Sequence, residues 1–123
     1  MSGTSRPSTR AKGAAAEALA CEHLKTLGYS ILERNWRCRL GEIDIIARDG
    51  EYVVFVEVKA RTGPSFGPGV EAVDVRKRSR LRALAEVYLQ RMGLKEAGVR
   101  FDVVSVDAGP GDGPVINLIR NAF

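Results

Sequence analysis

What this sequence lacks narrows it first. No stretch approaches the ~18 apolar residues of a membrane-spanning helix, so no membrane association is expected. The opening segment, "MSGTSRPSTRAKG", has no apolar core, which argues against a secretory signal. Only one histidine is present, His23, so no second histidine can join it on a metal. The two cysteines, Cys21 and Cys38, stand in no ligand-like spacing and are expected as free thiols in a reducing cytoplasm. There is no Gly-rich phosphate loop ending in Lys-Ser or Lys-Thr, and no Rossmann fingerprint. No serine or cysteine has a matched base for nucleophilic catalysis, and no segment repeats.

What is present fits one folded unit. The chain has 123 residues, 45% hydrophobic and 28% charged. A domain of this size buries roughly two thirds of its unfolded surface, enough for one core without disulfides. The 19 Lys and Arg against 15 Asp and Glu leave a net charge of +4, a mild invitation to a polyanionic partner. Residues 1–11 are basic, serine-rich and free of acids. They are expected to form a disordered tail, although a transit peptide also fits their composition weakly. Residues 12–123 are expected to form the domain.

Periodicity predicts a helix near 12–27, with Gly28 as its stop, and strands near 29–37, 42–48 and 51–59. The segment "TGPSFGPG", 62–69, is a loop. Asp74 can cap a second helix that runs to about Met92 before Gly93. Strands at 99–107 and 115–119 complete the order αβββαββ. That order predicts an α/β fold with a mixed sheet flanked by helices.

The hairpin "GEIDIIARDGEYVVFVEVKAR" carries the chemistry. An Asp49-Gly50 turn would pair Arg48 with Glu51, so that Glu57 faces Glu42 and Phe55 faces Asp44. Period-two alternation then puts Glu42, Asp44, Ile46, Val53, Phe55, Glu57 and Lys59 on one face, and Ile43, Ile45, Val54, Val56 and Val58 on the other. Three carboxylates and a lysine converge at the end away from the turn. Carboxylates gathered beside a core repel unless they are protonated or bridged by a cation. Mg²⁺ takes one or two carboxylates and keeps other positions for water and phosphate oxygens. The composition of this corner therefore matches metal-assisted phosphodiester hydrolysis, with the lysine stabilising developing charge. A second reading is a salt-bridged strand end, with Glu57–Lys59 and Glu42–Arg61 as pairs.

"GEIDIIA" followed by "VFVEVKAR" resembles the D…ExK core of the PD-(D/E)xK nuclease superfamily. With "AEALACEHL", "GYSILERNWR", "FGPGVEAV", "KRSRLRALAEVYL", "RFDVVSV" and "NAF", the chain resembles the small bacterial YraN-like family. That family is itself similar to archaeal Holliday-junction resolvases. The resemblance implies a restriction-endonuclease-like single domain in which Asp44 and Glu57 hold Mg²⁺ or Mn²⁺ and Lys59 assists catalysis. Glu17 matches a further glutamate that many members add from the first helix. Ile43 stands where the motif's name has proline. The implied activity is hydrolysis of DNA, with branched DNA as a candidate substrate, and two-fold junctions would suit a homodimer. The alternative is a nucleic-acid-binding domain that keeps the fold with little activity.

The helices can also be read on their own. Glu17, Ala20, Leu24 and Leu27 form a stripe on the first, which places Glu17 at the border of the buried face. His23 lies near that stripe and reads as packing. Leu81, Leu84, Ala85, Tyr88 and Met92 form the stripe of the second. Lys77 lies in line with it, aimed at the sheet, and can meet a scissile phosphate or a carboxylate. Arg76, Arg78, Arg80 and Arg82 point elsewhere. With Arg61 they are candidates for a nucleic-acid backbone, which adds affinity without sequence readout. Trp36, Tyr29 and Phe66 can stack on an opened base but read as core.

Overall fold

The computed structural model describes residues 9–61, 75–107, 111 and 113–123. The tail before Thr9, the loop 62–69 with Phe66, and Asp74 lie outside the described residues. The elements are α1 (Thr9–Thr26), β1 (Ser30–Cys38), β2 (Gly41–Asp49), β3 (Tyr52–Arg61), α2 (Val75–Arg91), β4 (Gly98–Asp107) and β5 (Val115–Ile119). Helix α1 opens three residues before the expected start.

Alanine is the best helix former, and α1 carries a dense run of it around Ala14–Ala20. Both helices end with paired backbone bonds that use up orphan carbonyls. Gly28 and Tyr29 donate to Lys25 and Leu24 after α1, and Gly93 and Leu94 donate to Gln90 and Leu89 after α2. The strands form one five-stranded sheet in the order β1-β2-β3-β4-β5. Only β3 and β4 run parallel, and α2 lies between them in sequence. The other pairs are antiparallel. The fold is therefore α/β with a mixed sheet, as expected.

The core has two parts, one on each sheet face. Ala16, Ala20, Cys21 and Leu24 of α1 pack on Ile45, Ala47, Val54, Val56, Val104 and Val106. Leu81, Leu84, Ala85, Tyr88 and Leu89 of α2 pack on Ile43, Ile46, Val53 and Phe55. Aromatic rings extend this second cluster from Trp36 through Tyr88, Phe55 and Phe101 to Phe123, with centroids 5.2–5.9 Å apart. Leu27 and Met92, expected on the buried stripes, are 43% and 47% exposed because each lies past the last turn of its helix. Leu89 is buried instead. Both cysteines are free, and they belong to clusters on opposite sheet faces, so they cannot bridge.

The hairpin register differs from expectation by two residues. Arg48 opposes Val53 and Asp49 opposes Tyr52, so the turn is Gly50-Glu51 rather than Asp49-Gly50. Gly50 has φ +60° while Glu51 keeps a negative φ, the pattern of a turn with glycine first. Asp49 stays in the strand, where its carboxylate accepts a bond from Arg100 at 2.8 Å. An even offset preserves the faces, so Ile46, Val53 and Phe55 still share one face and Ile45, Val54 and Val56 the other. Ile43 breaks the expected alternation: it packs on the α2 side with Ile46, not with Ile45.

Candidate active site

The site lies where β2 leaves β3. Their pairing ends at Ile45↔Val56, and residues 41–43 of β2 pair with β1 alone. Along β1, Arg34 pairs with Ile45 and Trp36 with Ile43, while Asn35 and Asp44 between them are unpaired in the ladder. Asn35 has φ +53°, a left-handed conformation that asparagine tolerates better than most residues. This local irregularity coincides with the change of face at Ile43. The consequence falls on Asp44. Its Oδ2 accepts the Val58 backbone N–H at 2.9 Å, so a side chain supplies a bond that the ladder no longer makes.

Glu57 follows Val56 on β3, on the α2 side, and is 6% exposed. Its carboxylate lies close enough to Asp44 for the two charges to repel. The expected partners, Glu42 for Glu57 and Phe55 for Asp44, are thus corrected by the two-residue offset. Glu42 forms an ion pair with Arg37 at 3.7 Å. Glu57 has two cations. Lys59 Nζ lies 3.7 Å from its Oε2, and Lys77 Nζ of α2 makes a closer ion pair with the same oxygen. Lys77 thus meets a carboxylate, the second of the two partners foreseen for it.

The titrations follow from this crowding. Burial, then repulsion from Glu57, push the Asp44 carboxyl from 3.8 to about 7. Burial and the neighbouring Lys77 hold Lys59 below the usual lysine range. Burial opposes the charge on Lys77, but contact with Glu57 outweighs it and the net shift is upward. Burial raises Glu17, against a side-chain hydrogen bond with Asn35, and repulsion from Glu42 and Glu57 adds to the rise. Glu17 comes from α1 and Lys77 from α2, on opposite sheet faces. Lys77 reaches Glu57 directly, whereas Glu17 lines a neighbouring pocket with Asn35, Arg37 and Glu42.

A groove of about 260 Å³ opens here, lined by Glu42, Asp44, Glu57, Lys77, Arg80 and Leu84 among others. Gly41 sits on its wall. A Cβ there would stand 3.6 Å from the Arg80 side chain, and Gly41 has φ +142°, so a larger residue would be strained.

The four arginines of α2 do not form one row. Arg80 lines the groove, and Arg76 is exposed. Arg78 and Arg82 lie on the other flank, with guanidinium groups 5.5–5.6 Å from the ring centroids of Phe101 and Phe123. Arg61 ends β3 beside Asp107 of β4. Trp36 is half-buried against Tyr88, and Tyr29 is buried. His23 is half-buried in α1.

Two features were not foreseen. Asn35 contacts Glu17, and its only sequence signal is an asparagine inside a strand pattern. The other is a buried polar cluster on the α1 face. Asp102, fully buried, accepts bonds from Tyr29 Oη, Arg100 Nε, Arg100 Nη2 and the Asn121 backbone N–H at 2.8–3.0 Å. Nothing in the alternation of "VRFDVVSVD" announces that partnership.

The donor set suits a hard divalent cation. Asp44 and Glu57 offer oxygen atoms only, and two carboxylates is the number that Mg²⁺ or Mn²⁺ takes from a protein when it keeps water and phosphate as further ligands. A cation between them would also relieve the repulsion that raises Asp44. Among the described residues, no three His, Cys, Asp or Glu side chains form a ready metal cage.

Fold and site together define a small α/β protein with a carboxylate–lysine groove at the parted end of its sheet. The chain belongs to the uncharacterised protein family UPF0102, whose model matches residues 16–106. This is the YraN-like family that the motifs resemble. The chain is 46% identical over 122 residues to a UPF0102 protein of Pseudomonas aeruginosa strain LESB58, covering 98% of each chain. It is 47% identical over 133 residues to a UPF0102 protein of Acidothermus cellulolyticus, covering all of both. Among solved structures it is similar to the EndoMS–dsDNA2 complex, at 17% identity and TM-score 0.48. That likeness spans 81% of this chain and 38% of the other. No described helix is long and apolar enough to cross a membrane.

Proposed function

We propose that this chain is a Mg²⁺- or Mn²⁺-dependent endonuclease of restriction-endonuclease-like type that hydrolyses phosphodiester bonds in DNA, with branched DNA as its preferred substrate, in the cytoplasm. One observation carries the reading: Asp44 and Glu57 are joined in a single groove with Lys59 and Lys77 on the second carboxylate. In this reading Asp44 and Glu57 hold the cation. A bound cation of this kind stabilises charge on a phosphoryl oxygen and makes water a better nucleophile. The rest is done by the chain. The Val58 N–H fixes the Asp44 carboxylate. Lys59 directs an ammonium at the charge that grows on the phosphoryl group during attack. Glu17, held by Asn35, positions the approaching water. Arg80 and Arg76 take up phosphates at the mouth of the groove.

The test is isothermal titration with Mn²⁺. Wild type binds, and Asp44→Asn loses most of that binding while its circular dichroism spectrum is unchanged. Equal binding by the two proteins rules out this site.

A further inference from the structure

Lys77 occupies the carboxylate that the proposed cation needs. Its Nζ pairs with Glu57 Oε2, the oxygen that Lys59 also approaches at 3.7 Å. Glu57 is buried, so two ammonium groups share one nearly enclosed carboxylate. Lys59 is on the same strand and is 19% exposed, with little room to leave. Lys77 is different. It sits in the first turn of α2, its side chain is 40% exposed, and it lines the groove beside Arg80.

We propose that Lys77 is an exchangeable counter-ion that makes cation entry and phosphate entry interdependent. This inference rests on the metal site proposed above. Charge balance carries it. With both carboxylates ionised, Asp44 and Glu57 are matched by Lys59 and Lys77, while Glu42 is paired with Arg37 and Arg80 adds a positive charge on the groove wall. Adding a divalent cation leaves an excess of at least two positive charges in the groove, and Glu17 stands in the neighbouring pocket rather than in this one. A phosphodiester supplies the missing negative charge. It also gives the displaced Lys77 a new partner at the groove mouth, where its flexible stem already places it. Without a phosphate, a cation must compete with Lys77 for Glu57 and binds weakly. With a phosphate, Lys77 moves from carboxylate to substrate and competition ends. Coupling of this kind is reciprocal: DNA tightens the cation and the cation tightens DNA. Lys77 is then a positioning residue that balances Glu57 until both ligands arrive.

The experiment measures free Mn²⁺ by its electron paramagnetic resonance signal, with and without a cleavage-resistant phosphorothioate four-way junction. Asp44→Asn serves as the background for Mn²⁺ held by DNA alone. For wild type, the junction should tighten Mn²⁺ by about tenfold. Lys77→Gln should bind Mn²⁺ about tenfold more tightly than wild type without DNA, the scale of one charged contact removed. The same variant should show little further tightening when DNA is added, and should bind DNA more weakly. Lys77→Arg should behave as wild type, since it keeps the charge. If wild type binds Mn²⁺ while Lys77→Gln binds it no more tightly, the inference fails and the metal site stands. If wild type holds no more Mn²⁺ than Asp44→Asn, the metal site fails and takes the inference with it.

Discussion

Asp44 and Asp102 show what decides the role of a buried carboxylate. Asp102 receives four donors, including a guanidinium, and is a fixed part of the structure. Asp44 receives one backbone N–H and faces a like-charged neighbour, so it is raised to about 7. Perturbation of this kind, by burial and a specific charge partner inside a groove, makes Asp44 a candidate functional group. It also has a measurable cost. The folded value lies above the unfolded value of 3.8, so the neutral form is the one that favours folding. That contribution is complete below the unfolded value and is lost as pH rises through about 7. In EDTA, the melting temperature of wild type should therefore fall between about pH 4 and pH 7 and level off above it, and Asp44→Asn should flatten the fall. Calorimetry across that range checks it, and a wild-type profile no steeper than that of the variant contradicts it.

Helix α2 shows how element geometry sorts residues that look alike in sequence. Successive residues on a helix turn by about 100°, so alternate positions point nearly opposite ways. Arg80 accordingly lines the groove and Arg76, one turn before it, is exposed, while Arg78 and Arg82 cover Phe123 and Phe101. Stacked guanidinium groups contribute to packing as well as charge. Changing Arg76 and Arg80 to glutamine should make the log-affinity against log-salt slope for duplex DNA shallower by about 2. Changing Arg78 and Arg82 should alter that slope little but lower stability. Fluorescence anisotropy over a salt series separates the two pairs, and equal effects would place the phosphate track across both flanks. The hairpin gives the complementary lesson. Its alternation made the faces of Ile46, Val53, Phe55 and Glu57 legible, because a two-residue error in register leaves faces intact. The exact partner of Asp44 was not legible. It depends on where the turn falls, on Asn35 adopting a left-handed conformation, and on β2 parting from β3. Those are tertiary choices that composition does not reveal.

Across the whole molecule, the sheet is pinned on one face and parted at one end. The Asp102 cluster ties β4 to Tyr29 after α1, to Asp49 at the hairpin turn through Arg100, and to Asn121 after β5. Asp102→Ala should cost about 3–5 kcal/mol, the scale of leaving a buried ionic partner uncompensated, with urea unfolding as the check. A destabilisation under ~1 kcal/mol would mean that the cluster only decorates the fold. At the other end, α2 extends Lys77 to Glu57, and α1 lines the neighbouring pocket with Glu17. The order of elements was readable because it rests on local periodicity, and the D…ExK spacing was readable only as a resemblance. The Asp102 cluster was not, because its members are distant in sequence. Single-turnover cleavage tests the central claim most directly. A four-way junction, a flap and a plain duplex are incubated with wild type and Lys59→Ala, in Mg²⁺ and in Mn²⁺. Wild type should cut, with the branched substrates cut fastest. Lys59→Ala should keep its fold and Mn²⁺ binding but cut roughly 10²-fold more slowly, the scale of one electrostatic stabiliser removed. Failure of wild type to cut any of the three with either metal would contradict the account and leave a nucleic-acid-binding domain with a nuclease-like groove.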